Sequence, residues 1–339
     1  GEAYALDPET LEQHGVAPWA PLEGVSAHAK VDERTGELMF FNYSKHAPFM
    51  HYGVVDRAGK VVTYIPVPLP GPRLPHDMAF SENYSILNDL PVFWDANLLG
   101  QNIHAARLHK LPSRFAIVPR HGRTEDIRWF EAAPCYVLHF LNAYENGDEI
   151  VMDGYFQEEP TPRPMAGAPD GFSHLMAYLD EHSFKSKLHR WRFNLRTGQT
   201  SEQRLDDRVL EFGMINPRVA GRKYRYAYST TTKPGWFLFN GFVKHDLETG
   251  ESWNVQLPEG RFASEAPFVP RIGAKDEDDG YLVSFIIDEN AGTSECVLID
   301  CKRFSDGPIV RIALPHKISS GTHACWADRE LIRNGFVAG

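Results

Sequence analysis

The chain has 339 residues, with 35 Lys and Arg against 45 Asp and Glu, a formal charge of -10 and 42% hydrophobic residues. That length holds one large domain or two ordinary ones, and the acidic balance excludes a surface built to neutralise a row of phosphates. Apolar runs are short and broken by charge or proline, which excludes a membrane-spanning helix, and Gly1-Glu2-Ala3-Tyr4 has no signal-peptide pattern.

In chain order, Leu38 to Tyr43, Val61 to Val67, Tyr136 to Leu141, Tyr224 to Tyr228, Trp236 to Phe242 and Tyr281 to Ile287 are short runs rich in Val, Ile, Phe and Tyr. Bounded by turn residues, they read as strands, and no long amphipathic helix competes with them. A turn recurs between them. Asp32-Glu33-Arg34-Thr35-Gly36-Glu37 returns as Asn194-Leu195-Arg196-Thr197-Gly198 and as Asp246-Leu247-Glu248-Thr249-Gly250-Glu251, with looser versions at Asp56 to Lys60 and Asn146 to Asp148. An Asp or Asn starts each turn and a Gly supplies the positive φ, as repeated hairpins require. The expectation is an all-β chain, with propeller blades preferred over a two-sheet sandwich. Pro66 to Arg114 and Glu158 to Lys187 break the rhythm and read as irregular excursions, where binding surfaces are built. No composition shift marks a boundary, so residues 1–339 are expected to form a single domain.

Four cysteines, at 135, 296, 301 and 325, make no CxxC pair and are too few for a disulfide framework. A reduced, cytoplasmic chain is the expectation. Histidine is the unusual residue, with 15 copies. His28, His76, His139 and His323 share apolar or small neighbours, as inward-pointing positions would. Their gaps of 48, 63 and 184 residues are far too wide for a local zinc motif, yet suit a radial fold that brings one histidine from each of several blades. Taken singly, each is more often a core or turn residue than a ligand. His139 is the hardest to dismiss, because a buried imidazole in an apolar strand needs partners. The other eleven, including His104, His109 and His316, sit in polar or loop contexts and read as solvated.

The segments Ser26 to Gly36, His76-Asp77 with Tyr84, Arg114-Phe115 through Pro119-Arg120, and Arg128-Trp129-Phe130 through His139 belong together. So do Asn142 to Glu145, Leu188 to Trp191, Glu211-Phe212 to Tyr228, Glu265 to Arg271, Asp278 to Tyr281 and Leu314-Pro315 to Trp326. In that order and spacing the chain resembles the carotenoid and stilbene cleavage oxygenase family, also described as retinal pigment epithelial membrane protein-like. The resemblance implies a seven-bladed β-propeller with a loop dome over an axis that holds iron(II). It assigns the metal ligands to His28, His76, His139 and His323. It places Glu211 and Glu265 behind two of the imidazoles; the third such acid would lie upstream of His28. Family members are longer at the N-terminus by roughly two blades of four strands each, so the propeller is expected to be N-terminally incomplete here. Thr322-His323-Ala324 also departs from the pattern, since relatives carry a larger apolar residue before the last ligand and Gly after it.

The chemistry implied is cleavage of a carbon–carbon double bond in a carotenoid or apocarotenoid by O2, giving two carbonyl products. Four neutral imidazoles suit iron(II), and a carboxylate behind a ligand fixes its tautomer. A two-histidine, one-carboxylate site would need His76 and Asp77 together, and neighbours on a strand point to opposite faces. Phe49, Phe80, Phe93, Trp94, Phe140, Phe262 and Trp326 are candidates for an apolar substrate tunnel by their proximity to ligands in sequence. Two other readings stand beside this one. The same chemistry could act on a phenolic stilbene or phenylpropene, or the propeller could be a non-catalytic binding module with structural histidines. A zinc hydrolase would need an activating acid near an open site, and the sequence offers none. The expected partners are an apolar conjugated small molecule and O2, with peripheral membrane contact through Pro66 to Leu99 as a route to lipophilic substrate.

Overall fold

The computed structural model describes residues 1–94, 106–158, 185–233, 238–319 and 322–329. Strands make nearly all of its regular structure, with short 3-10 turns at Thr124–Asp126, Pro217–Val219 and Cys301–Asp306. The chain is all-β, as the sequence leads one to expect, and no helix among the described residues is long and apolar enough to cross a membrane. It resolves into two compact units, one built chiefly on Gly1–Met152 and Trp191–Glu202, the other on Asp153–Arg190 and Gln203–Trp326.

In the first unit, Lys30–Asp32, Glu37–Tyr43, Met50–Val55 and Val61–Pro66 pair in chain order as an antiparallel meander. Ala79–Phe80, Tyr84–Asp89, Ser113–Pro119 and Arg128–Ala132 form a second. A third four-stranded sheet takes Tyr136–Asn146, Glu149–Gln157, Lys187–Asn194 and Thr200–Arg204 in order, and the division between the units runs through it. The second unit carries a nine-stranded sheet. Leu210–Met214, Tyr226–Thr232, Phe239–Asp246 and Ser252–Gln256 make one meander within it. Arg261–Ala263 and Phe268–Pro270 both pair with Gly280–Asp288, followed by Thr293–Asp300 and Pro308–Ala313. The two halves meet at a single residue pair, Phe239 and Ala263.

The repeated turn takes the form its residues dictate. Oδ1 of Asp246 accepts the N–H of Glu248 at 3.0 Å and of Thr249 at 3.2 Å, while Gly250, at φ 77°, returns its N–H to the Asp246 carbonyl at 2.8 Å. Asn194 does the same for Arg196 and Thr197, closed by Gly198. Asp32 with Gly36, Asp56 with Gly59 and Asp288 with Gly292 repeat the closure. Asp or Asn supplies the acceptor and Gly the left-handed backbone, so the chain reverses without help from another sheet. Gly53 serves a different need. It pairs with Phe40, and a Cβ there would lie 2.3 Å from the ring edge.

Aromatic rings fill both cores. Fully buried Trp191 lies 5.6 Å from Phe115 and 6.4 Å from Phe140, with Phe193 5.3 Å from Phe115. Truncating such a ring costs about 3–5 kcal/mol. In the second unit Phe212, Tyr228, Phe242, Phe268, Ile286 and Phe304 belong to one buried cluster. Polar groups staple neighbouring sheets of the first unit. The buried Arg120 guanidinium donates to Asp32 at 3.0 Å, Glu37 at 2.9 Å and the Ser81 carbonyl at 2.7 Å. Glu145 accepts from Ser81 Oγ at 2.8 Å and from the Asn83 N–H at 2.8 Å. All four cysteines are free, and burial pushes the Cys135 and Cys301 thiols up to about 12.

Two expectations need correction. Pro66 to Arg114 is not irregular throughout, because Tyr84–Asp89 is an interior strand of the second sheet, while residues 67–78 are without regular structure and residues 95–105 lie outside the described residues. The strand's polar residues hid it. Ser85 bonds Tyr52 at 2.7 Å, Asn88 bonds the Asp77 carbonyl at 2.7 Å, and Asp89 pairs with Arg73 at 2.5 Å. Nor are all eleven remaining histidines solvated. His189 and His245 are buried on strands, the latter with Nε2 2.7 Å from Asp206. His104 and residues 159–184 of the second excursion lie outside the described residues.

Candidate metal centre

Three of the four candidate ligands converge within the first unit. His28 lies just before Lys30–Asp32, His76 just before Ala79–Phe80, and His139 inside Tyr136–Asn146, so each accompanies the first strand of its own sheet. The strand carrying His139 is buried along most of its length, and it packs beside Ala79–Phe80. Ring centroids are 4.6 Å apart for His28 and His76, 4.9 Å for His28 and His139, and 5.2 Å for His76 and His139. The Nε2 atoms of His28 and His76 are 3.0 Å apart. Two nitrogens bound cis to one ion at about 2.1 Å would stand about 3 Å apart, so the spacing fits a shared cation.

The protonation state fits as well. Burial pushes the His28 imidazole down to about 3, with Lys30 and the other two imidazoles acting in the same direction against the pull of Asp77. At neutral pH the ring is uncharged and offers the lone pair that a metal needs. Imidazole donors suit zinc, copper, iron and nickel ions.

Asp77 is not part of the donor set. It is fully buried, and its Oδ1 takes the Lys30 ammonium at 2.8 Å and the Met78 N–H at 2.7 Å. Its Oδ2 accepts the N–H of Phe140 at 2.8 Å. Burial alone would raise its pKa, but Lys30, His28 and His139 outweigh that and hold the carboxyl below the usual range. Both oxygens are thus engaged by Lys30, Met78 and Phe140.

In the second unit, Glu265 holds His323. Its Oε2 lies 3.3 Å from His323 Nδ1 and accepts the N–H of Ala324 at 2.7 Å, while the Glu265 N–H bonds the Thr322 carbonyl at 3.3 Å. An Nδ1 proton directed at a carboxylate leaves Nε2 as the basic nitrogen, the arrangement usual behind a metal ligand. The His323 side chain is 46% exposed, so this contact rather than packing sets its orientation. Glu211 is fully buried on Leu210–Met214, its Oε2 accepting the N–H of Phe212 at 2.8 Å. The strand register shifts there, and Phe212 adopts φ 48°, a left-handed conformation uncommon for an aromatic residue. Its ring meets His323 edge-on at 5.1 Å. Phe212, Lys30 and the Asp77 contacts had no signal in the sequence beyond lying within matched segments.

The tunnel candidates scatter. Phe80 and Phe140 are core residues, Phe80 beneath the Arg120 guanidinium at 5.6 Å and Phe140 6.3 Å from Phe115. Phe93 stacks on His109 at 4.4 Å and lies under Arg73, in the wall of a cavity of about 160 Å³ that Pro70, Pro91, Leu111 and Pro112 also line. Trp94 follows it in the same strand, and Phe49 is half-buried at φ 73°. Phe262 is buried with Lys233 5.5 Å from its ring, and Trp326 is 50% exposed.

Comparison with known proteins places this geometry. The carotenoid 9,10(9',10')-cleavage dioxygenase 1 of Pisum sativum is 36% identical over 327 residues, covering 91% of this chain and 59% of the pea protein. The isoeugenol monooxygenase of Pseudomonas putida is 28% identical over 351 residues, covering 97% of this chain and 71% of its own. Among solved structures, lignostilbene dioxygenase from Pseudomonas brassicacearum superposes with a TM-score of 0.84 at 27% identity, over 96% of this chain and 71% of that one. The chain thus spans about three-fifths of the pea protein, 59% of its length. The family model described as retinal pigment epithelial membrane protein matches residues 1–328, and the chain belongs to that family of carotenoid oxygenases.

Proposed function

We propose that the protein is a non-haem iron(II)-dependent dioxygenase that cleaves a carbon–carbon double bond of a carotenoid or apocarotenoid into two carbonyl products. The observation that carries the reading is the convergence of the His28, His76 and His139 imidazoles, with the Nε2 atoms of His28 and His76 3.0 Å apart. His323, oriented by Glu265, completes the ligand set in this reading, and Glu211 supports an imidazole from behind. The four imidazoles would hold iron(II), which would supply the oxidative chemistry with dioxygen. The protein positions the alkene and keeps the His28 imidazole deprotonated by burial. The fold proposed is a seven-bladed propeller. Its support is the repeated four-stranded meander, each beginning beside a candidate ligand or its carboxylate, and the likeness to the lignostilbene dioxygenase structure.

A second reading keeps the chemistry and exchanges the substrate for a phenolic stilbene or phenylpropene, favoured by the likeness to the isoeugenol monooxygenase and the lignostilbene dioxygenase. The deciding experiment combines metal analysis of anaerobically purified protein with parallel turnover of an apocarotenoid and a hydroxystilbene. Stoichiometric iron with aldehyde products from the apocarotenoid is expected. Products from the stilbene alone select the second reading. A folded protein with no iron would instead make it a binding module.

A further inference from the structure

The three converging histidines sit on segments distant in sequence, yet one buried carboxylate touches all three segments. Asp77 directly follows His76. Its Oδ2 holds the N–H of Phe140, the residue after His139, at 2.8 Å, and its Oδ1 holds the ammonium of Lys30, two residues after His28, at 2.8 Å. The peptides before and after Asp77 are each held by a side chain. Ser26 Oγ donates to the His76 carbonyl at 3.5 Å, and Asn88 Nδ2 to the Asp77 carbonyl at 2.7 Å.

We propose that Asp77, together with Lys30, is a positioning residue that sets the mutual spacing of the His28, His76 and His139 imidazoles. The inference rests on the metal-centre reading above. Joining three sheets requires no charge, because a well-packed apolar pair of equal volume holds elements together as well as a buried ion pair. What a carboxylate adds is direction. Its two oxygens accept donors from fixed angles at charge-assisted distances, and each donor is one or two residues from a histidine. Asp77 adjoins His76 and holds the backbone N–H of Phe140, which adjoins His139, so one carboxylate fixes the chain beside both histidines. Lys30 keeps 26% of its side chain exposed and Asp77 none, so the ammonium reaches in from the rim and the carboxylate is the fixed centre.

Cobalt(II) binding to the metal-free full chain, followed by its visible absorption bands, tests this. The variants are Asp77→Asn, which keeps shape and one acceptor but removes charge, Lys30→Met, and Lys30→Arg. The expected result is that Asp77→Asn, folded by circular dichroism, binds cobalt about 10–100-fold more weakly, the loss typical of outer-sphere partners, with shifted bands. Lys30→Met shows a smaller loss in the same direction, and Lys30→Arg keeps the parent bands. Parent-like affinity and bands in both Asp77→Asn and Lys30→Met overturn the proposal, as does weaker binding with unshifted bands, which would make the pair a staple of the fold alone. Should Asp77→Asn fail to fold, Lys30→Met with its arginine control decides by the same criteria. A parent protein that takes up no cobalt overturns the metal centre and this inference together, a pattern distinct from a parent that binds and variants that match it.

Discussion

Asp77 in the first unit and Glu265 in the second share one contact, since each accepts the backbone N–H of the residue that follows a histidine, Phe140 in one case and Ala324 in the other. They differ in what else they hold. His139 is clamped by a buried strand, and Asp77 spaces its segment without being required to aim the ring. His323 lies outside every strand and is half exposed, and Glu265 reaches the ring itself at 3.3 Å. In the proposed metal centre the sheet-borne His139 has a spacer beside it, and His323 has a carboxylate on its imidazole.

Substitutions at the two places break this contrast by different amounts. The largest effect is expected from His139→Ala, which removes a sheet-borne donor; stoichiometric metal and alkene cleavage are both lost, as elemental analysis and product assays would register. Asp153→Ala comes next and is a control that touches none of the four candidate ligands. Asp153 takes Arg190 at 2.7 and 2.8 Å and the Tyr224 hydroxyl at 2.6 Å, so its removal strands a buried guanidinium at a cost of about 3–5 kcal/mol in urea unfolding. Metal content of the folded fraction should not change. Glu265→Gln should lower metal affinity about 10–100-fold while leaving the urea midpoint near the parent value, because the ring it aims is exposed. If instead it unfolds the protein and spares metal affinity, the contrast with Asp77 fails.

Alkaline pH touches both units more gently. Burial raises the Tyr52, Tyr155 and Tyr224 phenols above the ordinary 10.0. Their folded forms hold protons that the unfolded chain releases near that value, so their contribution to stability is intact below about pH 10 and fades as pH climbs through the folded values. Thermal unfolding tracked with tyrosinate absorbance should show a falling midpoint only above that point. The smallest effect belongs to Arg123→Ala. Its partner Glu125 is 62% exposed at 3.0 Å, and the change should stay within about 0.5 kcal/mol.

The turns and the strand class were legible in the sequence because each is written locally, in an Asp-to-Gly spacing or an alternation, whereas the four histidines were singled out as a set by the family resemblance. Tyr84–Asp89 was not legible, since Ser85, Asn88 and Asp89 are satisfied by Tyr52, Asp77, Arg73 and Arg114, which lie elsewhere in the chain. The same holds for Asp77. Its tie to Phe140, 63 residues away, has no local trace. Phe212 was hidden by its backbone, because a left-handed aromatic residue at a register shift leaves no pattern that a period of two would reveal.

The self-closing turns at Asp32, Asp56, Asn194, Asp246 and Asp288 also separate the clocks of folding. A hairpin with its own acceptor and glycine needs no partner, and such units form in roughly 1–10 μs. The bridge from Asp77 to Phe140 belongs to the non-local contacts that set the pace of β proteins, on the order of milliseconds to seconds. In refolding from denaturant, strand signal should therefore recover well before metal affinity, with the histidine cluster among the last features to assemble.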